Sequence, residues 1–572
     1  MRPRTTAGLA FAVVASLVVA AWAFLGAHAP RPAARPAGTG DDPARPNVIL
    51  LTIDTLRPDH LGVYGYPRPT SPNLDRFASS AVVFEDTVAS SAWTSPGLVT
   101  LLTGLFAVRH RVMGPADSAP AGTPTLATIL ASAGYHVPNL VYLTSIPNYS
   151  NLGFGPPLKE FFDEASGSDE ATRWLEHGAP EPFFLWYHYR YIHLPYQPER
   201  SALEEVWPGT AEARSDESAG LTAVRNDVIV PHDSVQFSLP GDRETVVRLY
   251  DGEIRAMDDW FGRFLDDLDR RGLLDRSLIV VSADHGEELF DHGWVGHAST
   301  TLNASLHEEL VRIPLLIRFP SARFGGLRVA DQARGADVLP TVLDALGMEA
   351  PVELDGRSLM PAVRGDPMPS APAILETAIA GYQTPPGRSG ERLAGIRADG
   401  WKLVVGCGEG HPRLYHTRID PGEVTDLAGV GAPEEESLRR ALTSYLSRWD
   451  PGFLLGRCEL DATASPAVES ARTPCPVVEE PADGSTIGFD EHGGLVTARW
   501  TGSASARYDL EYELGEGRFH TVGRMPVIGN RHEFGPFPRN VWQSFRDFNP
   551  WRVRVVMQGR SDCTPAEVRF RF

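Results

Sequence analysis

Apolar residues along this chain fall into short unbroken runs and into helical stripes. Four runs, spanning residues 47–54, 182–189, 277–286 and 312–319, are typical of strands buried on both faces. Between the second and third runs, apolar side chains recur at steps of three and four, which predicts an amphipathic helix packed on a sheet. The side chains of that stripe are Tyr250, Ile254, Met257, Phe261, Phe264 and Leu268. Strands that alternate with helices predict an α/β sandwich with a largely parallel central sheet.

The pattern changes after about Trp449, where apolar and polar residues alternate singly between glycine-rich turns. This alternation predicts an appended antiparallel β-sandwich over residues 470–572, similar to a fibronectin type III or immunoglobulin-like module. The sequence leaves three roles open for this module, namely a spacer, a docking domain and a glycan-binding domain. Residues 199–245 are polar and weakly periodic, so they form either a lid over a site or a surface loop.

The amino terminus has the composition of an export signal. Two arginines precede an apolar run at residues 7–25, whose length approaches the ~20 residues that span a bilayer. We therefore predict a signal anchor within residues 1–29, with a cleaved signal peptide as the alternative, followed by a Pro/Ala-rich linker over residues 30–45. The rest of the chain is expected outside the cytoplasm, in the periplasm or at the cell surface, attached to the membrane by this segment.

Length, charge and cysteines narrow the class of protein. A chain of 572 residues exceeds what one core usually organises, so two or more domains are expected. A formal net charge of -20 without basic clusters argues against a nucleic-acid partner. Four cysteines without a C-x-x-C pair favour disulfides over a metal site. A disulfide between Cys475 and Cys563 would link the two ends of the last segment, and Cys407 would then pair with Cys458. The alternative is that the cysteines are free buried thiols.

Polar residues at the ends of two predicted strands supply candidate chemistry. Asp54 ends the first run, and Asp284 with His285 ends the third; in a parallel sheet such ends meet at one edge, where ligands bind. Two carboxylates and an imidazole suit one divalent cation, Ca, Mg, Mn or Zn. Thr94 begins a predicted helix, where a cation would lower the pKa of its hydroxyl, so it is both a candidate ligand and a candidate nucleophile. Asp54 could instead cap a helix, and Glu287 either orients His285 or caps a helix.

Three histidines are further candidates for the catalytic site: His193 in "IHLPY", His297 in "WVGHAST" and His110 in "VRHRV". Each could instead be a structural imidazole with satisfied hydrogen bonds. His188 follows the alternation of a strand and is interpreted as a core residue. Arg109 either binds an anion or forms an ion pair.

Several blocks of sequence, in register, resemble the sulfatase family of the alkaline phosphatase superfamily. They run from Asn47 to about Trp449 and include "NVILLTIDTLRPDHLGVYGY", "SSAWTSPGLVTLLTGL", "PFFLWYHYRYIHLPYQP", "SLIVVSADHGEE" and "LHEELVRIPLLIRFP". The resemblance implies an alkaline-phosphatase-like catalytic domain over residues 46–375 and the family's carboxy-terminal subdomain over residues 376–450. Position by position, it implies metal ligands at Asp54, Asp284 and His285, the nucleophile at Thr94, and a histidine that contacts the substrate or leaving group at His193.

The chain departs from the family at the nucleophile. The family's oxidised residue lies in a C-x-P-x-R or S-x-P-x-R pentapeptide, whereas residues 94–98 read "TSPGL". Threonine cannot become formylglycine, so none is expected. Thr55 replaces the usual second aspartate, which favours a single cation. A threonine with one aspartate before it and an Asp-His pair after it resembles the phosphoglycerol and phosphoethanolamine transferases and nucleotide phosphodiesterases of the same superfamily.

The sequence therefore predicts a metal-dependent hydrolase or transferase that acts on an anionic ester through unmodified Thr94. Phosphate and phosphonate esters stand slightly ahead of sulfate esters, because an ester formed on plain threonine must be released by a second displacement, which the related enzymes carry out on phosphorus. A glycan and a lipid headgroup are the candidate carriers of that ester. Two alternatives stay open, a sulfatase (sulfuric ester hydrolase) that works without formylglycine and a non-catalytic protein that binds glycans at the cell surface.

Overall fold

A computed structural model describes most of the chain. It covers residues 45–141, 146–161, 169–209, 218–226, 241–298, 300, 305–377, 391–407, 412–456, 475–486, 496–501, 507–513, 520–521, 527–528, 531–534, 551–557 and 566–571. None of the helices in these ranges combines the length and the apolar character that a bilayer crossing requires. The anchor predicted within residues 1–29 lies outside the described residues and stays a prediction.

The central sheet has seven strands. The strands of this part of the chain are β1 (Asn47–Ile53), β2 (Val82–Val88), β3 (Phe184–Tyr189), β4 (Ser277–Ala283), β5 (Glu288–Leu289), β6 (Val295–Gly296), β7 (Arg312–Arg318), β8 (Arg328–Val329) and β9 (Ala333–Arg334). The sheet order is β3-β1-β4-β7-β2-β8, with β9 also paired to β2, while β5 and β6 form a separate hairpin. Only β7 runs against its neighbours β4 and β2, so the predicted α/β fold with a largely parallel sheet is confirmed.

Strand β2 was not predicted from the sequence. Glu85 and Asp86 interrupt its apolar run, and the register with β7 shifts between Phe84 and Thr87. A register shift of this kind breaks the alternation of side chains by which a strand is recognised. Of the four strands that were predicted, β1, β3 and β4 show no such shift in their described pairings. Strand β7 shares the shift with β2, but its own apolar run from Ile313 to Ile317 is unbroken.

Both faces of the sheet are buried, which explains the unbroken apolar runs. On β1, Leu51 packs in the cluster under the long helix Asp242–Arg270, whereas Leu50 packs in the cluster under the helix Thr94–Thr103 on the opposite face. All six side chains of the predicted helical stripe lie at 0% or 1% exposure within the first cluster. The sheet is therefore held between two helical layers, and its strand ends are fixed at one edge.

Helices account for most of the remaining described chain. The α-helices are Pro72–Ala78, Thr94–Thr103, Ala107–His110, Leu126–Ser132, Glu170–Glu176, Arg200–Val206, Ala219–Asn226, Asp242–Arg270, Glu308–Val311, Val338–Ala345, Met360–Arg364, Pro433–Trp449 and Pro451–Leu454. Two of them lie entirely within the polar segment 199–245, and the helix Asp242–Arg270 begins in it. Its described parts pack on the body of the fold, since Tyr196 N–H donates to Val224 O at 2.9 Å and Trp207 Nε1 donates to Asp251 Oδ2 at 2.8 Å.

A second, four-stranded sheet follows the central sheet along the chain. Its strands are β10 (Ala373–Glu376), β11 (Leu393–Ala398), β12 (Trp401–Gly406) and β13 (Arg413–His416), antiparallel in that order. The helix Pro433–Trp449 covers it through Leu438, Leu442 and Leu446. The domain boundaries that the sequence suggests stay predictions.

The end of the chain forms two further sheets. Their strands are β14 (Val478–Glu480), β15 (Ser485–Thr486), β16 (Val496–Trp500), β17 (Arg507–Glu513), β18 (His520–Thr521), β19 (Val527–Ile528), β20 (Arg531–Phe534), β21 (Trp551–Met557) and β22 (Ala566–Arg571). One sheet has the order β14-β16-β20 and the other β15-β22-β21-β17-β18, with β19 on β17. Apart from β15 with β22, the pairings are antiparallel, which confirms the predicted β-sandwich.

Disulfides are present at both described cysteines. Cys407 and Cys475 are disulfide-bonded, so for these two the free-thiol alternative is wrong. Cys458 and Cys563 lie outside the described residues. The pairing of the four cysteines therefore stays a prediction.

Candidate active site and metal centre

The carboxyl ends of β1 and β4 bring the three predicted metal ligands together. Asp54 directly follows β1, and Asp284 with His285 directly follows β4, its parallel neighbour. These residues each offer one ligand atom within 4.8 Å of the others, and all three are buried. His285 Nε2 lies 3.5 Å from Asp284 Oδ2 and 3.7 Å from Asp54 Oδ1.

The backbone holds the Asp284 carboxylate in one orientation. Its Oδ1 accepts hydrogen bonds from the backbone N–H of His285 at 2.9 Å and of Thr55 at 3.2 Å. Thr55 has a φ of 56°, a left-handed conformation that is costly for a β-branched residue. The hydroxyl of Tyr250 donates to the Thr55 carbonyl oxygen at 2.6 Å. The turn after β1 is thus held in a strained form that directs its N–H at Asp284.

Each of the two carboxylates, Asp54 and Asp284, has one oxygen without a hydrogen-bond partner among the described residues. Asp284 Oδ2 and Asp54 Oδ1 are buried with no hydrogen bond to any described residue. Burial and the charge of Asp54 raise the pKa of Asp284 well above its usual range. For Asp54, burial acts in the same direction but is outweighed by the contact with His188 and by the charges of nearby histidines, so its pKa lies below the usual range.

Such a pair calls for a cation. Two buried carboxylates that share one space repel each other unless positive charge lies between them. Oxygen donors with one imidazole suit a divalent metal. The residues present therefore fit the divalent metal that the sequence predicts, although they do not identify it.

His285 presents its Nε2 to this space. Its Nδ1 lies 2.7 Å from the carbonyl oxygen of Gly286, so Nδ1 carries the proton and Nε2 the lone pair. Burial and the charge of His297 lower the pKa of His285 to about 3, which keeps the imidazole neutral and able to bind a metal. The turn requires glycine at position 286, because a Cβ there would lie 2.0 Å from the backbone oxygen of Glu309.

Thr94 is the first residue of the helix Thr94–Thr103, and its side chain lies beside the three predicted metal ligands. Its Oγ1 is 3.3 Å from His285 Nε2. The residues that follow Thr94 in this helix are all buried, whereas Thr94 itself is partly exposed. The helix approaches this closely because residue 97 is glycine: a Cβ at Gly97 would lie 2.4 Å from the backbone oxygen of Asp284. The positive end of the helix dipole also faces this region, which favours an anion there.

His188 is a site residue that the sequence did not identify. Its side chain is 2% exposed, as a core residue's would be, but its Nε2 lies 3.6 Å from Asp54 Oδ2 and has no hydrogen-bond partner in the described structure. Its Nδ1 lies 3.0 Å from Thr52 Oγ1, in register across β1 and β3. The available signal was a histidine near the carboxyl end of a strand. The alternation of side chains along β3 shows which residues lie on the same face of the strand as His188. It does not show which face of the strand lies next to the metal ligands.

Glu287, Tyr196 and His297 form a hydrogen-bonded group beside His285. Glu287 accepts the Tyr196 hydroxyl at 3.0 Å and lies 2.8 Å from His297 Nδ1. Burial raises the pKa of Glu287 to about 7. The ring of His297 lies 4.4 Å from that of His285 and 4.8 Å from that of His193. Glu287 thus orients His297 rather than His285, whose Nδ1 is already held by the backbone.

The other two histidine candidates differ in their surroundings. His193 is partly exposed beside His297, with its Nδ1 2.6 Å from the carbonyl oxygen of Leu194. His110 is fully buried; its Nδ1 accepts the Val112 N–H at 3.1 Å, and its Nε2 lies 3.1 Å from Thr100 Oγ1. Within the described residues, no hydrogen bond joins His110 to the metal-ligand group.

The side chain of Arg109 forms an ion pair within the protein. Its guanidinium pairs with Asp355 at 2.9 Å and donates to Glu353 O at 3.0 Å. Of the two interpretations of Arg109, the ion pair is confirmed.

Two family models match the chain between residues 46 and 450. The model described as Sulfatase matches residues 46–348, more than half of the 572-residue chain. The model described as N-sulphoglucosamine sulphohydrolase, C-terminal, matches residues 296–450. Together they span the stretch whose blocks showed the resemblance.

Curated relatives are similar over most of their own length. An N-acetylglucosamine-6-O-sulfatase of Bacteroides thetaiotaomicron is 23% identical over 472 residues, covering 68% of this chain and 84% of the relative. The multifunctional alkaline phosphatase superfamily protein PehA of Trinickia caryophylli is 26% identical over 402 residues, covering 55% of this chain and 77% of the relative.

Solved structures share the fold. A protein in complex with its substrate D-glucosamine-2-N,6-O-disulfate superposes with a TM-score of 0.57 at 22% identity, covering 71% of this chain and 99% of its own. A phosphonate monoester hydrolase of Agrobacterium radiobacter superposes with a TM-score of 0.54 at 21% identity, covering 72% of this chain and 96% of its own. At 22% and 21% sequence identity, these structural similarities establish the fold of this chain.

Proposed function

The chain belongs to the sulfatase family of the alkaline phosphatase superfamily, and we propose that it uses unmodified Thr94 as the nucleophile of a metal-dependent hydrolase or transferase. Membership of this family makes the chain an ester hydrolase in its broad class. The substrates that we propose are phosphate or phosphonate esters carried by a glycan or a lipid headgroup. One observation carries the proposal: Thr94 Oγ1 lies 3.3 Å from His285 Nε2, beside the two carboxylates.

Asp54, Asp284 and His285 are the proposed ligands of one divalent cation. His285 offers the lone pair of Nε2 because its Nδ1 is bound to the backbone. The carboxylates offer Asp54 Oδ1 and Asp284 Oδ2, the two oxygens that have no other partner among the described residues. When bound, the cation supplies positive charge that acidifies the threonine hydroxyl and offsets the negative charge of the ester.

Thr94 attacks the phosphorus of the ester in the proposed reaction. Its hydroxyl gives its proton to solvent water, and Oγ1 forms the new P–O bond while the bond to the leaving alcohol breaks. The backbone amides at the start of its helix receive the phosphoryl oxygens. His193, beside His297, donates a proton to the departing alkoxide. Water or an acceptor alcohol then attacks the phosphorus and gives its proton to His193, while the P–O bond to Thr94 breaks. The threonine oxygen takes a proton from solvent water, which restores the hydroxyl. The identity of that acceptor distinguishes hydrolysis from transfer.

An unmodified threonine favours phosphorus over sulfur as the centre attacked. In the family's usual enzymes, a formylglycine hydrate can expel sulfate by collapse of its own hemiacetal, whereas Thr94 carries one hydroxyl and needs a second displacement at the ester. Among the similar proteins, one is named a phosphonate monoester hydrolase and another a multifunctional member of the alkaline phosphatase superfamily. Those names agree with an ester of phosphorus.

Sulfate esters are the second candidate substrate. The relative from Bacteroides thetaiotaomicron is named a sulfatase, and the protein solved with disulfated glucosamine has that sulfated sugar as its substrate. A non-catalytic role has less support, because the chain keeps both carboxylates, the imidazole and a hydroxyl at one point. The proposed division of the chain places this whole site within residues 46–375.

An activity screen tests the proposal. The purified protein, with Mg²⁺, Ca²⁺, Mn²⁺ or Zn²⁺ added separately, is assayed on aryl phosphate monoesters and diesters, an aryl phosphonate monoester and an aryl sulfate. We expect phosphorus esters to be turned over faster than the sulfate, and Thr94→Ala to lower kcat by at least ~1,000-fold with metal content unchanged. Thr94→Ser, which keeps the hydroxyl, should retain part of the activity.

Two results would reject parts of this proposal. Full metal-dependent turnover by Thr94→Ala would remove the threonine nucleophile. Aryl sulfate turnover well above that of every phosphorus ester would replace the first substrate class by the second.

A further inference from the structure

The β5–β6 hairpin carries a second group of potential metal ligands. Its first residue, Glu288, follows Glu287 directly in the chain. Successive side chains of an extended segment point to opposite sides, and here Glu287 lies 2.8 Å from His297 in the active site, whereas Glu288 lies 2.9 Å from His307. The hairpin therefore separates two clusters that share no side chain.

The second cluster contains Glu288, His292 and His307. Each offers one ligand atom within 4.8 Å of the others. Glu288 lies in β5, His292 in the turn between β5 and β6, and His307 just before the helix Glu308–Val311. The two imidazole rings stack, with centroids 3.6 Å apart and planes 24° apart.

One oxygen of the cluster has no partner. Glu288 is 2% exposed, and its Oε2 makes no hydrogen bond to any described residue. Glu309 adds another carboxylate, with its Oε2 3.3 Å from His292 Nε2. A buried carboxylate oxygen without a partner is unfavourable, and a cation shared with two imidazoles would satisfy it.

We propose that Glu288, His292 and His307 bind a transition-metal ion of the Zn²⁺ type, with the Glu309 carboxylate as the fourth ligand. Two imidazoles with carboxylates are a donor set that suits Zn²⁺ and is less suited to Ca²⁺ or Mg²⁺, which take oxygen ligands. Ligands of tetrahedral zinc lie roughly 3.3 Å apart, so binding draws these side chains together and turns the stacked rings. The ion fixes the hairpin whose two ends continue into Glu287 and His297.

Metal titration of the full-length protein tests this site separately from the active site. After removal of metal by chelation, Asp284→Asn, which weakens the first site, is titrated with Co²⁺ and with Zn²⁺. We expect one equivalent of Co²⁺ to bind with the visible absorption of a nitrogen- and oxygen-liganded ion. Zn²⁺ should raise the thermal unfolding midpoint of this variant by several degrees.

Adding His307→Gln to Asp284→Asn should abolish both the Co²⁺ absorption and the Zn²⁺-dependent shift. Adding His177→Gln, which changes an exposed histidine elsewhere, is the matched control and should leave both unchanged. Glu288→Gln, similar in shape to the native residue, is the second variant in case His307→Gln fails to fold. Neither readout requires catalytic activity, so failure of the proposed function would leave this result intact.

The proposal is overturned by either of two outcomes. One is an Asp284→Asn protein that binds no Co²⁺ and is not stabilised by Zn²⁺. The other is an unchanged Co²⁺ equivalent after His307→Gln or Glu288→Gln is added.

Discussion

Gly97 lies against Asp284 so closely that a Cβ at Gly97 would stand 2.4 Å from the Asp284 backbone oxygen and 3.2 Å from its Cβ. This contact joins the helix that Thr94 begins to the turn that follows β4. The position of the Thr94 hydroxyl relative to the Asp284 carboxylate therefore depends on residue 97 having no side-chain methyl group.

Gly97→Ala is expected to disturb the site more than the fold. Overpacking of this kind costs about 1–3 kcal/mol of the free energy of unfolding, while a displacement of ~1 Å at reacting groups costs ~100-fold in rate. Measurement of kcat/KM and of urea unfolding for the variant tests this. Gly155→Ala is the control, since nothing lies within 4 Å of a Cβ there. Wild-type kcat/KM in Gly97→Ala would contradict the argument.

His188 is expected to support metal binding through Asp54. His188→Ala removes the imidazole that lies 3.6 Å from Asp54 Oδ2, and groups that orient metal ligands contribute ~10–100-fold to affinity. We expect the divalent-metal Kd to rise by that factor, measured by titration of metal-free protein. Thr52→Val, which removes the contact 3.0 Å from His188 Nδ1, should give a smaller rise of the same kind. If neither variant changes the Kd, His188 is only a core residue.

Glu253 makes stability fall as pH rises. Its Oε1 accepts the Gln197 N–H at 2.5 Å, and burial raises its pKa from 4.5 to about 8. The folded state thus holds this proton more tightly than the unfolded chain, so the stabilisation is complete below pH 4.5 and is lost as pH rises through about 8.

Glu253→Gln cannot ionise and should flatten this decline. We expect the variant to exceed the wild type in free energy of unfolding by about 2–4 kcal/mol at pH 8, with a smaller difference at pH 5, from urea unfolding. Glu349→Gln, at an exposed position, is the control. Parallel pH profiles for Glu253→Gln and the wild type would show that Glu253 does not contribute.

Lys402, in β12 of the second sheet, binds residues that lie just before β7 of the central sheet. It is fully buried, and its Nζ donates to Leu306 O at 2.6 Å, to Glu308 Oε1 at 3.1 Å and to Glu423 Oε2 at 2.8 Å. Lys402→Met leaves two buried carboxylates without this partner, and we expect a loss of about 3–5 kcal/mol in the free energy of unfolding. Lys159→Met, at an exposed position, should change it little. An equal response of both variants would refute the assignment.

The sequence predicted the strands that carry the site because they are buried on both faces. Such strands give unbroken apolar runs, and their last residues can be counted directly, which located Asp54, Asp284 and His285. It did not predict β2, whose acidic pair breaks the run, or the contact of His188 with Asp54. That contact joins two strands far apart in the chain, and no local pattern encodes it.

By itself the sequence determined the family, the α/β class and the order of polar residues at strand ends, because burial and periodicity are local properties of a chain. The tertiary structure decided which strands are neighbours, since that depends on how two layers of helices pack on the sheet. With β1 between β3 and β4, Asp54 meets both His188 and His285. The same packing left His110 in the core and brought His307 to Glu288, contacts that arise only when the layers close on each other.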